Sequence, residues 1–190
     1  MPRLIDHDAR DQQIAAAAMR VLDRDGLTAL SVRQVAAEAG LATASLRRAF
    51  PTQDALRQFC LREVRDRVAR RIAGLTGEGS AWVSAVLSEL LPLDDTRRTE
   101  LNAQLQLGVL AITDPALSEQ VAALDAEVHG VCRTAIDVLD RTQGLRPELD
   151  PDIEATRLHA LLDGVALHLL WNPDGPGREV LDRHLATLTR

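Results

Sequence analysis

The stretch Thr43-Ala44-Ser45-Leu46-Arg47-Arg48 carries the side chains best suited to a chemical task. Thr and Ser hydroxyls hydrogen-bond to bases or phosphates, and an arginine fork grips guanine or phosphate through paired N–H groups. Little elsewhere suggests turnover. The chain has no phosphate-binding loop, nucleophile elbow or zinc signature, so no catalytic residue, metal or cofactor is expected. His129 and Cys132 stand one helical turn apart, but a structural metal site wants four ligands. His159 and Asp163 form an i,i+4 pair that reads as a hydrogen bond at a dimer interface rather than an acid–base dyad.

Reading bases demands a rigid frame, and the flanking sequence supplies one. Ile14, Ala17, Ala18, Val21 and Leu22 recur at helical spacing over residues 8–25, and Gly26 ends that helix. Ser31-Val32-Arg33-Gln34 is a capping box, with Leu30 and Val35 as its hydrophobic staple. The second helix bears small inward residues, Ala36 and Ala39, and stops at Gly40. A third begins near Thr43 with Leu46 inward and ends before Pro51. Two short helices joined by a tight glycine turn form a helix-turn-helix, whose second helix enters the DNA major groove. Thr52 then caps a fourth helix carrying Leu56, Phe59, Cys60, Val64, Val68 and Ile72. On its outer face Arg62–Asp66, Glu63–Arg67 and Asp66–Arg70 are spaced as ion pairs.

The run from Gly26 to Leu41, then Ser45-Leu46 and Phe50-Pro51-Thr52, closely resembles the TetR family of transcriptional regulators, and the likeness extends over residues 8–60. Leu161-Leu162-Asp163-Gly164-Val165-Ala166-Leu167 is similar to the penultimate helix of betaine-regulator-like members. The resemblance implies a homodimeric repressor on palindromic double-stranded DNA, released by a small-molecule effector. It also implies that Ser31, Arg33, Thr43, Ala44, Ser45, Arg47 and Gln53 face DNA, and Arg48 is exposed beside them. The family has Tyr in place of Arg47 and Lys in place of Gln53. Those two departures support an alternative, a helical ligand-binding or adaptor protein that has lost operator binding.

The expected architecture is all-α. Residues 1–52 form the helix-turn-helix DNA-binding domain and 53–190 a helical ligand-binding and dimerisation domain, with a break at Gly74–Gly79. Further helices are expected near 80–91, 95–112, 115–141, 151–171 and 177–189. Asp114-Pro115 reads as a cap followed by proline at the first helical position. Beyond it Leu117, Val121, Leu124, Val128, Val131, Ala135 and Val138 make a continuous packing seam. A ligand pocket between the middle helices is expected to draw on Trp82, Leu101, Gln104, Leu105, Val128, His129 and Cys132, with an aliphatic or lipid-like occupant. Both tryptophans, Trp82 and Trp171, read as core. The last two helices offer Leu158, Leu161, Val165 and Leu169, with Leu181, Leu185 and Leu188, as a four-helix dimer interface in which Gly164 permits close approach.

Composition agrees with this division. The hydrophobic fraction is 46% and the aromatic fraction 2%, so the core is built from Leu, Val and Ala. Net charge is −6, yet residues 1–79 hold 13 Arg against 10 acids, and 80–190 hold 9 Arg against 18 acids. The asymmetry suits a phosphate-facing end and a solvated body. Met1 to Asp6 contain no apolar signal-peptide core, and no apolar run reaches the ~18 residues a membrane span needs. A cytoplasmic protein with no membrane partner is expected.

Overall fold

Gly26, Gly40 and Pro51 punctuate the first third of the chain as their chemistry dictates. The computed structural model describes residues 7–190, so the Met1–Asp6 stretch lies outside the described residues. Helix α1 (His7–Ala29) breaks at Gly26, whose φ of 76° is open to glycine at little cost. α2 (Val32–Ala39) starts at Ser31, whose Oγ accepts from the backbone N–H of Gln34. It ends at Gly40, in the left-handed region at φ 65°, where Leu41 N–H donates back to the Ala36 carbonyl at 2.9 Å. The seven-residue α3 (Thr43–Ala49) stops ahead of Pro51, and α4 (Gln53–Ala73) begins from the Thr52 side-chain cap.

The rest is also helical: α5 (Gly79–Ser88), α6 (Asp95–Thr113), α7 (Ser118–Gln143), α8 (Pro151–Trp171) and α9 (Gly177–Leu188). The described residues contain no strand, only an isolated bridge between Leu145 and Thr189. Asp114 is not the cap of α7. It closes α6, and Pro115–Leu117 forms a 3-10 turn before α7 starts at Ser118. No described helix is long and apolar enough to cross a membrane.

Two apolar cores form. The first joins Ala18, Val21 and Leu22 of α1 to Val35, Ala36 and Leu46, and continues through Leu56, Cys60, Leu61 and Val64 of α4. Packing therefore carries this unit past residue 52. It also recruits Ala103 and Leu107 of α6 and Leu117 of the 3-10 turn, so it is not closed by N-terminal residues alone. The second core packs α5, α7, α8 and α9 through residues such as Leu87, Ile136, Leu139, Leu158 and Leu185.

A charged network braces the junction of the two units. Arg71 donates to both oxygens of the buried Glu100, at 2.9 and 2.7 Å, and to Glu89 at 2.7 Å. These bonds, Glu100 first, hold the guanidinium firmly protonated against the opposing cost of burial. The i,i+4 pairs expected along α4 do not form. Arg65 reaches across to Glu127 of α7 at the rim of the cavity that separates the two helices.

Candidate nucleic-acid interface and ligand cavity

Two anchors set the roll of α3. Leu46 is buried in the first core, and Phe50 tilts against Phe59 with ring centroids 5.0 Å apart. Ala44, Arg47 and Arg48 are left facing solvent. Neither arginine pairs with a carboxylate among the described residues, and nor does the exposed Arg33 on α2. The one acid of α2 and α3, Glu38, is already held by Arg20 at 2.7 Å and Arg24 at 3.1 Å. Those two hydrogen bonds, Arg20's first, keep its carboxyl below the usual range. The outer face of the helix-turn-helix thus carries three positive charges with no carboxylate partner among the described residues, and such charges favour phosphate.

Three other sequence-derived positions are engaged within the chain. Ser31 Oγ donates to Gln34 Oε1 at 2.8 Å while serving as the cap, so Gln34 reaches the hydroxyl rather than the Ser31 backbone. Ser45, half-buried beside the half-buried Thr43, accepts a hydrogen bond from Arg10 of α1. The Gln53 amide donates to the Leu30 carbonyl at 3.0 Å, which ties α4 to the α1–α2 turn. Arg10 gives no sign of this role in the sequence, because its partner lies 35 positions away and no local pattern joins them.

A cavity of about 420 Å³ opens between α4, α5, α6 and α7. Trp82, Gln104 and Val128 line it as expected from sequence, with Val68, Leu124 and Val131. Leu101 and Leu105 line a neighbouring cavity of about 340 Å³ between α6, α7 and α8, together with Gln104 and Val128. Cys132 and His129 line neither. Cys132 is buried in the second core, where desolvation pushes its thiol up to about 12. His129 turns towards Thr156 Oγ1, 3.4 Å away. The α7 seam therefore has two fates: Leu124, Val128 and Val131 border open space, while Ala135 is packed solid. Trp82 stands on a cavity wall, and Trp171 is 72% exposed rather than core.

Side-chain hydrogen bonds from α6 link the cavity-bearing half to the helix-turn-helix unit; Thr99 Oγ1 donates to Asp23 of α1. Gln106 Oε1, on α6, accepts from the backbone N–H of Leu27 at 2.6 Å and of Thr28 at 3.2 Å. These are the first free amides after the break at Gly26, and a side-chain acceptor from elsewhere caps them.

The leucine stripe of the last two helices packs into the chain's own core, and Leu161, Val165 and Leu169 also line a surface groove on α8 and α9. Leu158, Val165, Leu169, Leu181, Leu185 and Leu188 are all buried within the subunit, and Leu161 is half-buried. Helices α8 and α9 pack on α5 and α7 through that face, which leaves the opposite one outward. Ala160, Gly164, His168, Trp171 and Val180 are exposed there, and Leu161, Gly164, His168 and Val180 border a surface groove. His159 lies 3.6 Å from Asp163 and 3.9 Å from Asp125 of α7, so its neighbours are internal to the chain.

Residues 79–190 match the family model described as the C-terminal domain of BetI-type transcriptional repressors. Residues 14–58 match that of bacterial regulatory proteins of the tetR family. The HTH-type transcriptional regulator PksA of Bacillus subtilis is 35% identical over 176 residues, which span 91% of this chain and 84% of that protein. A transcriptional regulator from Rhodococcus sp. superposes with a TM-score of 0.75 at 28% identity, covering 94% of this chain and 95% of that one. The multidrug binding protein EbrR, solved with ethidium, superposes with a TM-score of 0.69 at 28% identity, covering 95% and 99%.

Proposed function

The chain belongs to the TetR family of transcriptional regulators, and from that premise we propose that it acts as a homodimeric repressor, released from a palindromic operator when a small molecule fills the cavity beside α6. The observation that carries this reading is the unpaired Arg33, Arg47 and Arg48 on the exposed face of the helix-turn-helix. Arginines without internal partners on a structurally fixed helix cost nothing to redirect onto phosphate or guanine. Of the remaining positions, Thr43 and Ala44 lie beside them. Ser31, Ser45 and Gln53 act mainly by holding the helices in register.

Two copies associate through the outward face of α8 and α9, where Trp171 and Val180 join the small residues Ala160 and Gly164. An isologous contact there sets the separation of two recognition helices, which DNA requires to be roughly 34 Å. A cavity of about 420 Å³ is of the size that holds a drug-like molecule. EbrR, similar in fold, is a multidrug binding protein. A ligand that prefers one arrangement of α6 and α7 shifts the reading head through Gln106, and by linkage DNA opposes the ligand to the same extent.

Selection of bound duplexes from a random library, at two salt concentrations, tests the reading. It predicts enrichment of an inverted repeat. Folded dimeric protein that enriches nothing at either salt would return the chain to the ligand-binding adaptor.

A further inference from the structure

Arg10 of α1 and Ser45 of α3 meet across the fold, and α1 holds Arg10 firmly in place. Ile14, one turn further along, is buried in the first core. Gln13 donates to the Ala39 carbonyl at the end of α2, at 2.7 Å. Among the described residues the Arg10 guanidinium bonds to Ser45 Oγ, and no carboxylate pairs with it.

Hydrogen-bond chemistry fixes what Ser45 does in return. A serine hydroxyl has one proton and two lone pairs, and an arginine only donates. Arg10 therefore fills a lone pair, and the Ser45 proton turns elsewhere. The hydroxyl donates to no group among the described residues. A charged donor on its oxygen also polarises the O–H and strengthens it as a donor. Ser45 is half-buried rather than enclosed, and it lies in the first turn of α3 beside the exposed Ala44. In a helix-turn-helix that is the part of the second helix set against base edges. In the major groove guanine, adenine and thymine each present an acceptor, whereas cytosine presents only a donor. A hydroxyl with its proton free and a cation behind it fits the first three and not the fourth.

We propose that Arg10 determines sequence specificity through Ser45: it commits the hydroxyl to donating, so that α3 selects a base-edge acceptor and rejects cytosine at one position of each half-site. The proposal rests on the reading of the chain as an operator-binding regulator and names one rule of its sequence choice. Arg10 is a positioning residue, and Ser45 makes the contact. This role is additional to the tie that the same bond makes between α1 and α3.

Selection of bound duplexes by the parent, Ser45→Ala, Arg10→Met and the double variant, followed by affinities for all four bases at each position, tests it. The parent is expected to hold cytosine about tenfold below the best base at the position Ser45 reads. Each single variant is expected to cut that discrimination to about twofold there and nowhere else, and the double variant to relax it no further. An unchanged remainder of the motif reports an intact fold. A Ser45→Ala variant that relaxes no position, or an Arg10→Met variant that keeps the parent's discrimination, would overturn the proposal and leave the regulator reading standing. Uniform weakening of every duplex marks a phosphate contact and overturns it equally. A parent that enriches no motif overturns the regulator reading, and this rule with it.

Discussion

Replacing Gln106 with alanine removes the one side-chain acceptor that two backbone amides have among the described residues, and the structure shows what each loses. Leu27 is fully buried, so its N–H, bonded at 2.6 Å, has no water to turn to. Thr28 is exposed, and its longer 3.2 Å bond is replaced by solvent. The cost is therefore close to that of one buried, unsatisfied donor, about 1–3 kcal/mol. For a chain of this length, 1 kcal/mol moves the melting temperature by about 2–4 °C, so Gln106→Ala is expected to lower it by about 4–8 °C. Gln106→Glu keeps an acceptor for both amides and is expected to stay within about 2 °C of the parent. Scanning calorimetry at one fixed protein concentration makes the comparison, because an associating chain melts in a concentration-dependent way. Gly26→Ala adds a cross-check. Its new Cβ lies 2.9 Å from Gln106 Nε2 at a φ of 76°, so it is destabilising alone and less so in the Gln106→Ala background. A Gln106→Ala variant that melts with the parent, or a Gln106→Glu variant that falls as far as the alanine one, would refute the capping role.

Glu100→Gln breaks the charge pairing with Arg71 at a side chain only 4% exposed. Denaturant unfolding should show a loss of about 2–3 kcal/mol, below the ~3–5 of a fully stranded pair because Glu89 still holds Arg71. Burial holds the His184 imidazole below its ordinary value, and its Nε2 is buried without a partner among the described residues. Its folded-state pKa is thus depressed, and its contribution is intact above pH 6.5 and lost as pH falls through the lower folded value. His184→Leu should flatten the acid side of the stability profile below pH 6.5, and an unchanged profile counts against it. Trp171→Glu combined with Val180→Glu puts charges on the outward face of α8 and α9. Sedimentation should then report a monomer with unchanged helicity, whereas a persistent dimer would place the interface elsewhere.

The helix-turn-helix was legible in sequence because each of its controls is local. Ser31 caps through a residue three positions on, Gly40 is demanded by a left-handed φ, and Pro51 forbids continuation. Leu46 needs only to be the one large apolar residue in a polar turn. The C-terminal half was legible as helices but not as faces. Val128 and Cys132 are one turn apart and both apolar, yet one borders a cavity and the other is packed solid. What separates them is which helix lies opposite, and that is tertiary information. The same ambiguity holds for α8, whose stripe packs on α7 and α9 while Leu161, Val165 and Leu169 also line an outward groove. Gln106 and Arg10 carried no signal at all, since their partners are 79 and 35 positions away.

The central claim is that the free arginines of the helix-turn-helix grip DNA. The most direct test follows the affinity of the full chain for its selected duplex against salt, for the parent and for Arg47→Ala. The variant is expected to bind every duplex more weakly, with a log–log salt slope smaller by about one unit for each phosphate it no longer holds. An unchanged affinity and an unchanged slope would contradict the claim.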